Sequence, residues 1–307
     1  MDSITTAGLC GVIGTGAMGA GMVANLLERG YRVHIRDIDP AREAPLVKRG
    51  ALVQPNPRSV IDAATAVFIV VETAAQIDDV LRGTDGLLAG IRPGDRVFLC
   101  STIGPVDAER FAAEIVAAGG QAIDAPISGG PVRARDGSMS MMLAAPFAVL
   151  DHSAALISAV AGRIFQVSAR PGDATRAKLA NNLAAGAYLA AASEALAMAT
   201  KLGLDPVLMQ GLMAASSGQS WIADDRLPRA LNGPCAPVGA ALRVLDKDLV
   251  LAIAAAHAVG ASVPMAEAAS RRFQDAMQAG LGELDDSAMY VLYGGRPAGI
   301  ADSSSSG

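Results

Sequence analysis

Residues Leu9–Asp37 read LCGVIGTGAMGAGMVANLLERGYRVHIRD, and the reading of this stretch decides the fold. An apolar strand, Leu9 to Ile13, is followed by Gly14, Gly16 and Gly19 in the spacing G-x-G-x-x-G. A helical run then extends to Arg29 and stops at Gly30, and a second apolar run, Tyr31 to Ile35, leads to Asp37. The first glycine permits the tight strand-to-helix turn and the second lets a pyrophosphate approach the backbone. The third lets helix and strand pack closely, while the N–H groups of the helix start face the phosphates. Asp37 falls 18 residues after Gly19, where a carboxylate accepts hydrogen bonds from adenosine ribose hydroxyls. A glycine triplet alone is a weak signal. Between a strand and a helix, with a second strand ending in an acid, it predicts a dinucleotide site.

Outward from this stretch, apolar strand patterns recur at Ala66–Val71, Arg96–Cys100, Gln121–Ala125, Ser138–Ala144 and Arg163–Val167. Helical patterns lie between them, at Ala74–Leu81, Val106–Ala118 and Ala148–Val160. Such alternation predicts a doubly wound α/β domain of the Rossmann kind, with a mostly parallel sheet and helices on both faces. Ligands of these sheets sit outside the carboxyl ends of the strands. That rule nominates Val71-Glu72-Thr73, Ser101-Thr102 and Ala125 to Gly130 as site walls. The character changes near Arg170-Pro171-Gly172. Beyond it the patterns are helical: Thr175–Leu202, Pro206–Ala215, Ala241–Val259 and Pro264–Ala279, with Gly203, Gly260 and Gly280 as stops. The expectation is a dinucleotide domain over residues 1–168 and an all-α domain over 169–307, joined by a long interdomain helix.

The chain has 307 residues, room for two domains at roughly 100–200 residues each. A net charge of −5 without a basic cluster argues against nucleic acid as a partner. The most membrane-like run, Leu179–Thr200, is interrupted by Asn181, Asn182, Ser193 and Glu194, so it reads as a covered helix rather than a span. No basic start followed by an apolar core marks the N-terminus as a secretory signal. Cys10, Cys100 and Cys235 are odd in number and far apart, which suits buried free thiols in a reducing cytoplasm. His34, expected to face outward from its strand, His152 and His257 form no pair with metal-ligand spacing, so no metal is expected.

Lys178, Asn181 and Asn182 stand at i, i+3 and i+4 and share one helix face, among Ala174, Ala177, Ala185 and Gly186. A lysine among alanines is often a solvated residue. Two adjacent asparagines inside a long helix tilt the reading toward a site, because asparagine is a poor helix former. A lysine beside a nicotinamide exchanges a proton with the reacting hydroxyl or carbonyl. Asp124-Ala-Pro-Ile-Ser-Gly-Gly130 ends a strand in a proline-set turn, where Ser128 and the N–H groups of Gly129 and Gly130 can cradle a carboxylate. Lys247-Asp248-Leu249 lies in a helical run and by itself reads as a solvated face.

Taken in order, GVIGTGAMGAGMVANL, CSTIGP, DAPISGGPVRARDGSM, KLANN, SSGQSW, DKDL and GELDDSA resemble the β-hydroxyacid dehydrogenase family, the 3-hydroxyisobutyrate dehydrogenase-like enzymes, over nearly the whole chain. The resemblance implies hydride transfer between a small hydroxy acid and a nicotinamide cofactor. It implies Lys178 as catalytic acid/base, Ser128, Gly129 and Gly130 as the substrate-carboxylate loop, and Asn182 as the amide that orients the substrate. Contacts to the cofactor are implied for Ile13, Gly14, Gly16, Ala17, Met18, Gly19, Asp37, Ile38, Val71, Glu72, Gln76, Thr102 and Lys247. VVETAAQ, GGPVRARDGSMSMM and SGQSWIADDRL look closest to the subgroup acting on four-carbon sugar acids such as L-threonate, although that subgroup usually has asparagine where Glu72 stands. Members using NADP carry arginine after the position of Asp37. Here Ile38 follows, and NAD is the expected cofactor. The alanine-rich helix from Thr175 suits coverage by another subunit, in a homodimer or homotetramer.

Overall fold

The computed structural model describes residues 8–233 and 239–295, so Cys235 lies outside the described residues. Along the chain run β1 (Leu9–Ile13), α1 (Ala17–Glu28), β2 (Arg32–Arg36), α2 (Pro40–Val47), β3 (Leu52–Val53), α3 (Pro57–Ala63) and β4 (Ala66–Ile69). Next come α4 (Ala74–Arg82), β5 (Arg96–Leu99), α5 (Pro105–Ala117), β6 (Gln121–Asp124), β7 (Ile127–Ser128), α6 (Gly130–Asp136) and β8 (Met139–Ala144). After α7 (Phe147–His152), α8 (Ala154–Val160) and β9 (Ala161–Ser168), the elements are helical: α9 (Asp173–Lys201), α10 (Pro206–Ala214), α11 (Trp221–Leu231), α12 (Leu242–Ala258) and α13 (Pro264–Gln278). The chain divides into two compact units, one ending at Lys178 and one beginning at Leu179. The division falls within the first turns of α9, while the sequence-based boundary at 168 and 169 falls at the end of β9.

In the first unit the strand order is β3-β2-β1-β4-β5-β6-β8-β7, with β9 paired to β8. From β3 to β6 every pairing is parallel, in the doubly wound order 3-2-1-4-5-6. β8 runs antiparallel to β6 and β7, and parallel to β9. β7 and α6 lie between β6 and β8, and α7 and α8 provide the crossover that a parallel β8–β9 pair needs. Central strands are apolar at consecutive positions because both sheet faces are covered. Ala66 and Phe68 of β4 pack with Phe98 and Cys100 into one core, and Val67 and Ile69 pack with Val97 and Leu99 into the other. Phe68 and Phe98 stack at 4.4 Å between centroids, and burying each such ring stabilises the unit by roughly 1.5–3 kcal/mol.

The second unit has two helical cores strung along α9. Leu189 packs with Leu242, Leu245, Leu249 and Phe273, and Leu196 packs with Met213, Leu227 and Tyr290. Gly186 explains itself here, since a Cβ at that position would lie 3.1 Å from the Leu249 side chain, so α9 and α12 approach closely. α9 is also the one helix among the described residues that is long and apolar enough to cross a membrane, and its Leu189 and Leu196 lie in these cores.

Several elements depart from the sequence reading. The helix expected at Ala148–Val160 is broken at Ser153, whose Oγ donates back to Val149 O at 2.7 Å, the local competition that serine offers a helix. α6, for which the sequence patterns predict no element, starts at Gly130 with Pro131 in its first turn. α11 escaped notice because Pro228 interrupts its pattern, although Ser220 caps it at the Ala223 N–H. His34 is buried rather than outward, with Nδ1 2.9 Å from Gln54 Nε2. Burial, aided by the charge of Arg32, holds its pKa below the usual histidine range. Cys10 and Cys100 are free and buried, and burial pushes the Cys10 thiol up to about 12.

Candidate active site

Each glycine of the β1–α1 turn has a separate structural reason. Gly14 sits at φ +91°, and a Cβ there would fall 2.3 Å from Val70 O. A Cβ at Gly19 would fall 2.0 Å from Gly14 O. Both must be glycine for the protein's own backbone to close. At Gly16, by contrast, a Cβ would meet only Arg42 Nη1 at 3.7 Å, so the space beside it is open. Gly16 is the N-cap of α1 and offers no side chain to the first N–H groups, and the first turn carries no acid. Open space over uncapped N–H groups of a 12-residue helix suits a pyrophosphate. Ile13, Ala17 and Met18 flank this turn, at the end of β1 and the start of α1.

Asp37, just beyond β2, is 5% exposed. Its Oδ2 accepts from the Thr15 N–H at 2.6 Å and Thr15 Oγ1 at 3.1 Å, and its Oδ1 accepts from the Asp39 N–H at 2.9 Å. A carboxylate offers about four acceptor positions, so these donors leave room on Oδ1 for one hydroxyl. Asp37 therefore also clamps the glycine turn, a role that its spacing alone did not reveal. Ile38 is 90% exposed beside it.

The other strand ends are built locally. Ser101 Oγ accepts from the Val71 N–H at 3.1 Å, tying the end of β5 to that of β4. Thr73 and Gln76 form a capping box on α4, in which Gln76 Oε1 accepts from the N–H groups of both Glu72 and Thr73. The amide oxygen of Gln76 is thus engaged by the protein. Thr102 follows Ser101 at the end of β5, half-buried. Ser128 pairs with Ser140 in the β7–β8 ladder, and Gly129 (φ +132°) and Gly130 (φ +77°) turn the chain into α6. The carboxylate-loop candidates thus lie between a strand and a helix start.

Asp124 ends β6 fully buried. It accepts from the Gly172 N–H at 2.7 Å, the Thr175 N–H at 3.0 Å and Thr175 Oγ1 at 2.7 Å, anchoring the first turn of α9. Burial raises its pKa while these hydrogen bonds oppose the rise. Lys178, one turn beyond Thr175, is 6% exposed, which removes the reading of a solvated lysine. Asn182 follows after a further turn, also buried. Its Nδ2 donates to Asp248 Oδ2 at 2.7 Å, and Lys247 Nζ donates to Asp248 Oδ1 at the same distance. Asn181 Nδ2 reaches Asn182 Oδ1 at 3.2 Å. With its N–H₂ turned to Asp248, Asn182 presents a carbonyl oxygen to any other partner. Asp248 gathers these two side chains, a connection that the DKDL motif alone does not show.

α11, which follows SSGQSW, meets GELDDSA in an ionic cluster of the second unit. Arg226 Nε lies 2.7 Å from Asp286 Oδ1, and Arg229 Nη1 donates to Asp285 Oδ2 at 2.7 Å. Burial pushes Asp286 up to about 6 against the pull of Arg226.

A doubly wound sheet with an open, uncapped helix N-terminus at its switch point, and a buried lysine early on the following long helix, defines a nicotinamide-dependent dehydrogenase. Comparison with known proteins agrees. Residues 10–168 match the family profile of the NAD binding domain of 6-phosphogluconate dehydrogenase. Residues 172–293 match that of the NAD-binding region of NADP-dependent 3-hydroxyisobutyrate dehydrogenase. An L-threonate dehydrogenase of Cupriavidus necator is 33% identical over 285 residues, covering 93% of this chain and 96% of its own. The crystal structure of a 3-hydroxyisobutyrate dehydrogenase from Salmonella typhimurium superposes with a TM-score of 0.86 at 32% identity, covering 93% of this chain and 99% of its own. Psf3, solved in complex with NADP+ and 2-OPP, superposes at 0.85 with 28% identity, over 92% and 99%. The chain belongs to the 3-hydroxyisobutyrate dehydrogenase-like family of hydroxy-acid dehydrogenases.

Proposed function

We propose that this enzyme oxidises a four-carbon 2-hydroxy sugar acid of the L-threonate kind with NAD, and that Lys178 is its acid/base. The observation that carries the reading is the burial of Lys178 one turn beyond the Asp124 anchor, with Asn182 a turn further on the same helix face. The dinucleotide, when bound, accepts the hydride from the hydroxyl-bearing carbon. Lys178 Nζ, as the neutral amine, takes the hydroxyl proton, so the alcohol becomes a carbonyl and the lysine an ammonium. Asn182 Oδ1 accepts from the substrate hydroxyl or from the ammonium, because its N–H₂ is held by Asp248. Ser128 and the N–H groups of Gly129 and Gly130 receive the carboxylate. Glu72, Thr102 and Lys247 line the cofactor.

Ile38 where a cation would serve a 2′-phosphate, together with the carboxylate of Asp37, supports NAD over NADP. L-threonate as the substrate draws support from the Cupriavidus necator relative. 3-Hydroxyisobutyrate or tartronate semialdehyde is the second reading, favoured by the Salmonella typhimurium structure. Buried free Cys10 and Cys100 support a reducing, cytoplasmic setting. Exposed Tyr188, Met198, Leu202, Leu204, Leu208 and Leu212 on α9, α10 and the link between them support a homodimer or homotetramer.

The test is a panel of threonate, erythronate, glycerate and 3-hydroxyisobutyrate in both stereochemical forms, with NAD and with NADP, followed by absorbance of the reduced cofactor. Threonate turning over fastest with NAD supports the reading, and preference for 3-hydroxyisobutyrate replaces it with the second. Lys178→Ala is expected to lower kcat by about 10²–10⁴-fold while NAD still binds. Near-normal turnover by that variant removes the acid/base assignment.

A further inference from the structure

The cofactor preference proposed above rests on Asp37 and Ile38, and the structure shows a third residue behind them. Glu43, in the first turn of α2, has a side chain only 6% exposed. Its Oε1 accepts from the Asp37 N–H at 2.6 Å and lies 3.6 Å from Arg36 Nη1. Burying a carboxylate is costly unless it is paired, and α2 lessens that cost by presenting its N-terminus to the charge. The result is that one oxygen holds both the peptide carrying Asp37 and the cation nearest to it in the chain.

The two arginines near the end of β2 are held differently. Arg36 is engaged by Glu43, and Arg42 Nε lies 3.5 Å from Asp39 Oδ2, on a half-exposed pair. Ile38 offers no charge. Arg36, Asp37, Asp39, Arg42 and Glu43 together carry three acids against two arginines, a net of −1. A 2′-phosphate on the adenosine ribose needs a nearby arginine, whereas a free 2′-hydroxyl needs only an acceptor. Of the two arginines, Arg42 stands beside the glycine turn on an exposed pair, and Arg36 is the one that a buried carboxylate, Glu43, occupies.

We propose that Glu43 is a specificity-determining positioning residue: by holding Arg36 and the Asp37 peptide on one buried carboxylate, it makes the ribose end of the site reject the 2′-phosphate of NADP. Rejection by a withheld cation is specificity against a competitor rather than added affinity for the preferred ligand.

The experiment measures Kd for NAD and for NADP, by calorimetry, in the natural enzyme, Glu43→Gln, Arg36→Met and the double variant. Glutamine keeps an oxygen for the Asp37 N–H and removes only the charge. In Glu43→Gln the ratio Kd(NADP)/Kd(NAD) is expected to fall about tenfold, the size of one charge-assisted contact, chiefly through tighter NADP binding. In the double variant the ratio returns to within about twofold of the natural value, because the released arginine is gone. Arg36→Met alone, which leaves Glu43 in place, changes the ratio by less than about twofold. A ratio that stays put in Glu43→Gln overturns the proposal, as does an equal fall in the double variant. So does a severalfold rise in Arg36→Met, which would show Arg36 already serving NADP, and this arm stands even if Glu43→Gln does not fold. Tighter binding of NADP than NAD by the natural enzyme would instead remove the underlying NAD assignment, and the change of ratio on substitution would still read the role of Glu43.

Discussion

Two buried aspartates act on residues of the same helix and do different work. Asp124 receives two backbone N–H groups and a threonine hydroxyl at the start of α9. Asp248 receives the side chains of Asn182 and Lys247. The first is satisfied by main chain, so it determines where a helix begins. The second is satisfied by two side chains, so it fixes how they are presented. A buried carboxylate is informative through the kind of donor it collects, more than through its burial.

That difference has measurable consequences, and the largest concerns Asp124. Asp124→Ala leaves three buried donors without an acceptor and should lower the unfolding free energy by about 3 kcal/mol, read by urea denaturation. A variant that keeps its stability but loses turnover would erase the contrast, since Asp124 would then be a functional clamp as well. Asp248→Asn comes next. It keeps the shape but weakens the hold on Asn182 and Lys247, and kcat/KM should fall by about 10–100-fold with a smaller change in stability. Unfolding as severe as that of Asp124→Ala, with turnover preserved, would reverse the assignment.

A third buried acid sharpens the comparison at smaller scale. Asp286 is raised to about 6 in the folded chain, from an ordinary aspartate value, by burial outweighing Arg226. Between about pH 4 and 6 the folded state therefore binds more protons at this site than the unfolded state. Its contribution to stability then declines as pH rises through that window. Asp286→Asn should remove up to about 1.4 kcal/mol per pH unit of that slope, measured as the pH dependence of unfolding free energy. An unchanged slope would show that Asp286 titrates in the folded chain as it does when unfolded.

The candidate residues differ in legibility for a physical reason. The β1–α1 turn could be read because Gly19 answers to Gly14 O five residues back, Gly14 adopts a φ of +91°, and Gly16 borders the open space beside the helix start, constraints that recur at regular spacing. Lys178 and Asn182 were legible as a helix face for the same reason. The dual duty of Asp37 was partly hidden, since its hold on Thr15 needs β1 and β2 side by side. Asp124 was visible only as the head of a loop motif, because its donors lie 48 and 51 residues further on. α6 and α11 were missed where glycine and proline, ordinarily signs of loops, stand inside or next to a helix.

By itself, the sequence determined a strand–turn–helix dinucleotide site, a parallel sheet buried on both faces, a helical second half and a face bearing Lys178 and Asn182. Period and local sterics suffice for these, because each depends on neighbours along the chain. Only the tertiary structure decided that His34 turns inward, that Glu43 holds Arg36, and that Asp248 orients Asn182. Those outcomes depend on which distant donor meets which acceptor after the elements pack, and a buried charge accepts only the arrangement that satisfies it.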